Sequence, residues 1–74
     1  MPIKQQNIIN YLVICINDFA DRFGISPKEA YKYLSSYGGI QFLLEHYEIE
    51  HTLSIDDAID DLERICSING GVLA

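Results

Sequence analysis

Tryptophan is absent, and 74 residues hold only two cysteines, two prolines and five basic side chains. Each shortage excludes something. Cys15 and Cys66 are too few for a disulfide scaffold. Both lie in apolar runs, Leu12-Val13-Ile14-Cys15-Ile16 and Ile65-Cys66, where a free thiol packs as a small hydrophobe. The longest unbroken apolar run, residues 11–16, is far short of the ~20 residues that cross a bilayer. Asn17-Asp18-Phe19 follows it, in place of the small-residue cleavage site of a signal peptide. No membrane interaction is expected, and the cytoplasm is the expected compartment. Positive charge is missing altogether from residues 45–63, which carry eight acids: Glu45, Glu48, Glu50, Asp56, Asp57, Asp60, Asp61, Glu63 and no Lys or Arg. Residues 1–44 carry four basic groups against three acids, so the net charge of −6 resides in the second half. Such a face repels phosphate backbones and attracts cationic protein surfaces.

A chain of this length has one core, and residues 1–74 read as a single helical domain, with its core over 8–68 and a short tail over 69–74. A domain this small buries only about 60% of its unfolded surface. Its core rarely contributes more than ~3–5 kcal/mol. With neither disulfides nor a metal motif to reinforce it, a partner chain is the expected support.

Helical periodicity runs throughout, and nothing alternates at period two for long enough to make a sheet. The expected fold class is all-α, a compact bundle of about four short helices. Ile8, Leu12, Cys15, Phe19 and Phe23 fall at helical spacing, widened by Ile9, Val13, Ile16 and Ala20. They predict a first helix over residues 3–23, closed by Gly24. Ser26-Pro27-Lys28-Glu29 combines an N-cap, a first-turn proline and a capping box. The second helix that follows presents Ala30, Tyr31, Tyr33, Leu34 and Tyr37 on its apolar side and stops at Gly38-Gly39. Ile40, Leu43, Leu44 and Tyr47 mark a third helix that fades near residues 48–50 without a stop signal. Ser54 caps a fourth, with Asp56 and Asp57 in the first turn, where the helix dipole favours anions. Asn69-Gly70-Gly71 ends it, leaving the apolar tail Val72-Leu73-Ala74.

Chemistry-bearing patterns are sparse. His46 and Glu50, or Asp57 and Asp61, could share a helix face at i, i+4, but no spacing matches HExxH, a Cys/His zinc set or an EF-hand loop. Neither a metal nor any other cofactor is expected. Glu48, His51 and Asp56 could serve general acid–base chemistry only by converging in a cleft. A cleft of a few hundred Å³ would remove much of so small a core. The expectation is therefore that the chain is not an enzyme, with a minor metal-dependent enzyme as one alternative.

Surfaces are more promising. Tyr31, Tyr33, Tyr37 and Tyr47 are residues that pack at boundaries and are enriched at interfaces. Asp56, Asp57, Asp60 and Asp61 form a stripe without lysines at i+4 to offset their repulsion, which a protein partner with a basic surface would explain. His51 completes the candidate interaction residues. A homodimer is a further alternative. The second helix, glycine turn and third helix also resemble a helix-turn-helix, which makes a transcriptional regulator another alternative. The absence of Lys or Arg from residues 38–63 argues against nucleic-acid binding.

Residues 37–52, with Tyr47-x-x-x-His51-Thr52 as their most distinctive part, are followed by Ser54, Asp57 and Asp60-Asp61-Leu62. This pattern resembles a family of short bacterial proteins catalogued as domain of unknown function 3791. The resemblance covers about residues 8–71 and is loosest over 26–34. It implies a compact helical domain, often encoded beside ADP-ribosyltransferase-like proteins in toxin–antitoxin-like operons. It further implies that His51-Thr52 caps the turn into the last helix, with Tyr47 packed beside it. Together, residues and resemblance give a small acidic protein–protein interaction module, antitoxin-like or an adaptor.

Overall fold

The structure, a computed structural model, describes residues 3–71, and the side chains of residues 6–71. The tail Val72-Leu73-Ala74 lies outside the described residues. The fold is all-α, and no strand occurs among the described residues. The helices are α1 (Ile3–Phe23), α2 (Pro27–Ser36), α3 (Gly39–Glu45), α4 (Tyr47–Glu50) and α5 (Ile55–Ile68).

The boundaries follow from local chemistry. Gly24 adopts φ +66° after α1, and the Ile25 amide reaches back to the Ala20 carbonyl at 3.0 Å. At the start of α2 the capping box closes in both directions. The Glu29 amide donates to Ser26 Oγ, and the Ser26 amide to Glu29 Oε1, each at 3.1 Å. The bond from the Ser26 backbone holds the Glu29 carboxyl below its ordinary range. Ser54 repeats half of this motif by accepting from the Asp57 amide at 3.1 Å.

The expected third helix is in fact two. Its hydrogen-bond ladder breaks at His46 (φ −114°, ψ 21°), whose carbonyl accepts from both Ile49 and Glu50 amides at 3.1 and 2.8 Å. The four-residue α4 follows as a separate helix. No glycine or proline marks the break, so it left no trace in the sequence pattern.

Gly38 joins α2 to α3 at φ +83°. The turn is tied to the far end of α5 by Asn69, whose Nδ2 donates to the Tyr37 carbonyl at 2.7 Å. A Cβ on Gly38 would sit 2.9 Å from that Nδ2. Gly38→Ala is therefore expected to cost about 1–2 kcal/mol for the left-handed backbone alone, and more if Asn69 is displaced. Urea unfolding checks this, and an unchanged midpoint would contradict it.

Phe19 of α1, Leu34 of α2, Leu43 of α3, and Ile59 and Leu62 of α5 are fully buried together with Cys15 and Cys66. Phe19 is central among the aromatic rings, 4.6 Å from Phe23 and 5.8 Å from Tyr33 between centroids. α3 enters so closely that a Cβ on Gly39 would meet Leu34 Cδ2 at 2.7 Å and Cys66 Sγ at 3.2 Å. Both cysteines are free. Burial pushes the Cys15 thiol up to about 11 and raises that of Cys66, so neither is a ready nucleophile.

The buried face of α1 differs from the expected stripe. Tyr11, Cys15, Phe19 and Ala20 are buried, whereas Ile9, Val13 and Ile14 are 41–50% exposed. The physical reason is incomplete cover: short neighbours shield only one side of a helix roughly 30 Å long. No helix among the described residues is long and apolar enough to cross a membrane.

Candidate functional site

The structure disperses the α2 tyrosines and gathers another group. Tyr31 is 54% exposed. Tyr33 and Tyr37 are half-buried; Tyr33 lies on Phe19, and Tyr37 on Tyr33 at 5.0 Å. Of the three, Tyr31 alone faces fully outward, and helical geometry explains why: residues 30, 33, 34 and 37 share the core-facing side. A shallow groove of about 380 Å³ runs past Glu29, Lys32, Tyr33 and Ser36 on this helix, outside the core.

The acidic stripe of α5 is partly answered from within. Arg22 of α1 donates from Nη1 to Asp60 Oδ1, while its Nη2 reaches the Asp56 carbonyl at 3.2 Å and lies 3.6 Å from Asp56 Oδ1. The hydrogen bond to Asp60 holds the guanidinium more firmly charged. These contacts are solvent-exposed and contribute under about 1 kcal/mol each. They nonetheless supply compensation for Asp56 and Asp60 from a residue remote in sequence. Arg64 Nη2 pairs with Asp61 Oδ1 at 2.9 Å. Asp57 is exposed, and its amide, already used by Ser54, fixes it in the first turn.

Tyr47 and His51 come together with residues that the sequence pattern did not single out. The His51 ring stacks on Tyr47 at 4.5 Å with planes 10° apart, and its Nδ1 lies 2.7 Å from the Tyr47 carbonyl. Thr52 Oγ1 donates to the Ile49 carbonyl at 2.6 Å. His51-Thr52 thus closes the end of α4, and Ser54 separately opens α5. Tyr47 in turn meets Tyr11 edge-on at 5.5 Å. Glu50, the last residue of α4, is only 4% exposed. Its Oε2 has no hydrogen-bond partner, and neither does the buried Tyr11 hydroxyl. Burial first, then a hydrogen bond shared with the Asp61 carboxyl, raise Glu50 to about 7. Burial likewise raises the Tyr11 hydroxyl, which lies beside the Cys15 thiol.

Two signals for this cluster were present in the sequence. Glu50 continues the phase of Leu43 and Tyr47, and Tyr11 stands four residues before Cys15 on one helix face. Both were masked by residue type, since an acid in an acidic run reads as solvated and Tyr11 lay off the strongest apolar stripe.

Around the cluster the surface is mixed. Leu44, Ile49 and Leu53 are 50%, 66% and 37% exposed, among exposed Glu45, Glu48, Asp56 and Asp57. No group of three or more His, Cys, Asp or Glu among the described residues is placed to hold a metal ion.

Residues 10–69 match the family described as "Protein of unknown function (DUF3791)". The chain belongs to the DUF3791 family. The match spans every helix from the second turn of α1 to the end of α5, so the family pattern coincides with the folded unit of this DUF3791 protein. Searches of curated proteins and of solved structures gave no match to the DUF3791 chain.

Proposed function

We propose that this DUF3791 chain is a protein-binding module, antitoxin-like or an adaptor, that engages a cationic partner through the corner formed by residues 44–57. The observation that carries this reading is Ile49, an isoleucine left 66% exposed within a segment that has acids and no basic residue. Burying such a side chain against a partner gains roughly 1.5–3 kcal/mol. The surrounding carboxylates favour lysine- or arginine-bearing surfaces and speed their encounter. An amphipathic basic segment, with apolar residues toward Ile49 and Leu53 and cations toward the acids, has the complementary chemistry.

The test uses a labelled helical peptide of leucine and lysine, and its leucine–glutamate counterpart, as probes. The lysine peptide is expected to bind with an affinity that falls as salt rises, and the glutamate peptide to leave the protein unchanged. Ile49→Ser is expected to weaken binding about tenfold or more, with its unfolding curve close to the parent's. Equal binding of both peptides, or no loss in Ile49→Ser, would count against the corner.

A second reading, self-association through α1, is favoured by the exposure of Ile9, Val13 and Ile14. It predicts a dimer in light scattering that persists in high salt and is lost in Val13→Asp.

A further inference from the structure

We infer that a second copy of this chain is a partner of the corner, seated head to tail: the outer face of α2, with Tyr31 beside Lys28 and Lys32, docks on the Ile49–Leu53 corner of the next copy. The inference rests on the corner proposed above and names an occupant for it. Of the five basic residues, Arg22 and Arg64 are engaged by acids of α5. Lys28 and Lys32 have no ion pair among the described residues. Both are exposed on α2, one turn apart. Tyr31 shares their face and is 54% exposed, since residues 28, 31, 32 and 35 lie opposite the buried side of Ala30 and Leu34. An apolar body flanked by cations is the chemistry that the corner calls for.

The corner offers the complement: exposed Ile49 and Leu53, with exposed Glu45, Asp56 and Asp57 around them. Within one copy the two faces do not cover each other, because Tyr31 and Ile49 both stay exposed. They can pair only between copies. The faces differ in composition, so the contact is heterologous: each copy leaves one face unused, and successive copies add in a row or close a ring. The net charge of −6 repels whole copies at long range. At about 0.15 M salt that field is screened beyond ~8 Å, whereas lysine and carboxylate in contact lie well inside that distance. Burial of Tyr31 against Ile49 adds an apolar contribution that salt does not weaken. A second copy seated on the corner excludes any other cationic partner, so self-association and partner binding compete.

Charge exchange on the full chain, followed by sedimentation equilibrium, tests this. The average mass of the parent is expected to rise with concentration up to about 1 mM, the range of a small interface. Lys28→Glu with Lys32→Glu leaves two acidic faces, and Glu45→Lys with Asp57→Lys leaves two basic ones. Each double variant alone is expected to stay monomeric, and an equal mixture to associate. Both keep a net negative charge, so attraction between them is local. Ile49→Ser added to both is expected to weaken the mixture about tenfold or more. As a second measurement, zero-length carbodiimide crosslinking of isotope-labelled with unlabelled parent is expected to join Lys28 or Lys32 of one copy to Glu45, Asp56 or Asp57 of another. A parent that stays monomeric throughout, a mixture no heavier than its components, or an assembly lost in Val13→Asp but kept in the Lys28→Glu, Lys32→Glu variant overturns the inference. The corner itself is judged separately, because the leucine–lysine peptide is expected to bind that lysine variant as it binds the parent. Peptide binding without self-association removes only the second copy as occupant, and loss of both removes the corner.

Discussion

Phe19→Ala is expected to leave the chain without a cooperative unfolding transition at room temperature. Phe19 is fully buried and touches rings from its own helix and from α2. Its truncation removes the transfer free energy of the ring and leaves a cavity that short, already packed helices cannot fill, a loss of about 3–5 kcal/mol. A single core in a domain this small supplies about that much in total, so the substitution consumes the whole margin. Ile68→Ala is the matched control: Ile68 is 72% exposed, and its loss is expected to fall within about 0.5 kcal/mol. Far-UV circular dichroism against urea separates the two. A sigmoidal transition for Phe19→Ala near the parent's midpoint would show that stability resides elsewhere.

The second large effect is a gain. Above about pH 8, Glu50→Gln is expected to be more stable than the parent by about 3 kcal/mol. The direction follows from the protonation states. In the unfolded chain a glutamate titrates at its ordinary value of 4.5, whereas burial and the Asp61 carboxyl raise Glu50 to about 7 in the folded chain. The folded state therefore favours the neutral acid. Its stability is intact below pH 4.5, declines as pH rises from 4.5 to 7, and has lost the full amount above 7. At about 1.4 kcal/mol per unit, that amount is about 3 kcal/mol. Glutamine cannot ionise and escapes the loss, so the two proteins are expected to converge in acid, where only the hydrogen bond to Asp61 distinguishes them, by about 1 kcal/mol or less. Urea titrations across the pH range measure this. A stability difference that does not change with pH would refute the placement of Glu50.

How much of this was legible in the sequence depended on whether the signal was local. Ser26 and Ser54 could be recognised as caps because a cap acts within three residues, and both accept the expected amide hydrogen bonds. The end of α1 was equally plain from Gly24. The break at His46 was not, because it depends on one carbonyl serving two amides and on packing that no residue type announces. The pairing of Arg22 with Asp56 and Asp60 was hidden for a related reason: it joins the end of one helix to the start of another far along the chain. The absence of i+4 lysines on α5 suggested an external cation, and α1 supplies part of that charge internally. The packing of Tyr47 beside His51 was implied by the family resemblance, and the rings do stack. Glu50 and Tyr11, the buried polar residues at the centre of the cluster, were missed because burial is decided by tertiary contacts that override residue type.

Under the proposed function, stability and partner binding divide between the inside and the outside of the molecule. Phe19, Leu34, Leu43 and Leu62 are buried among the helices, and Leu44, Ile49 and Leu53 are exposed beside the acids. Amide chemical-shift mapping during addition of the leucine–lysine peptide tests this division most directly. The account predicts saturable shifts confined to residues 44–57 and their immediate contacts, with the amides of Phe19, Leu34 and Leu62 unmoved. Shifts centred on those core amides, or spread evenly over every helix, would contradict it.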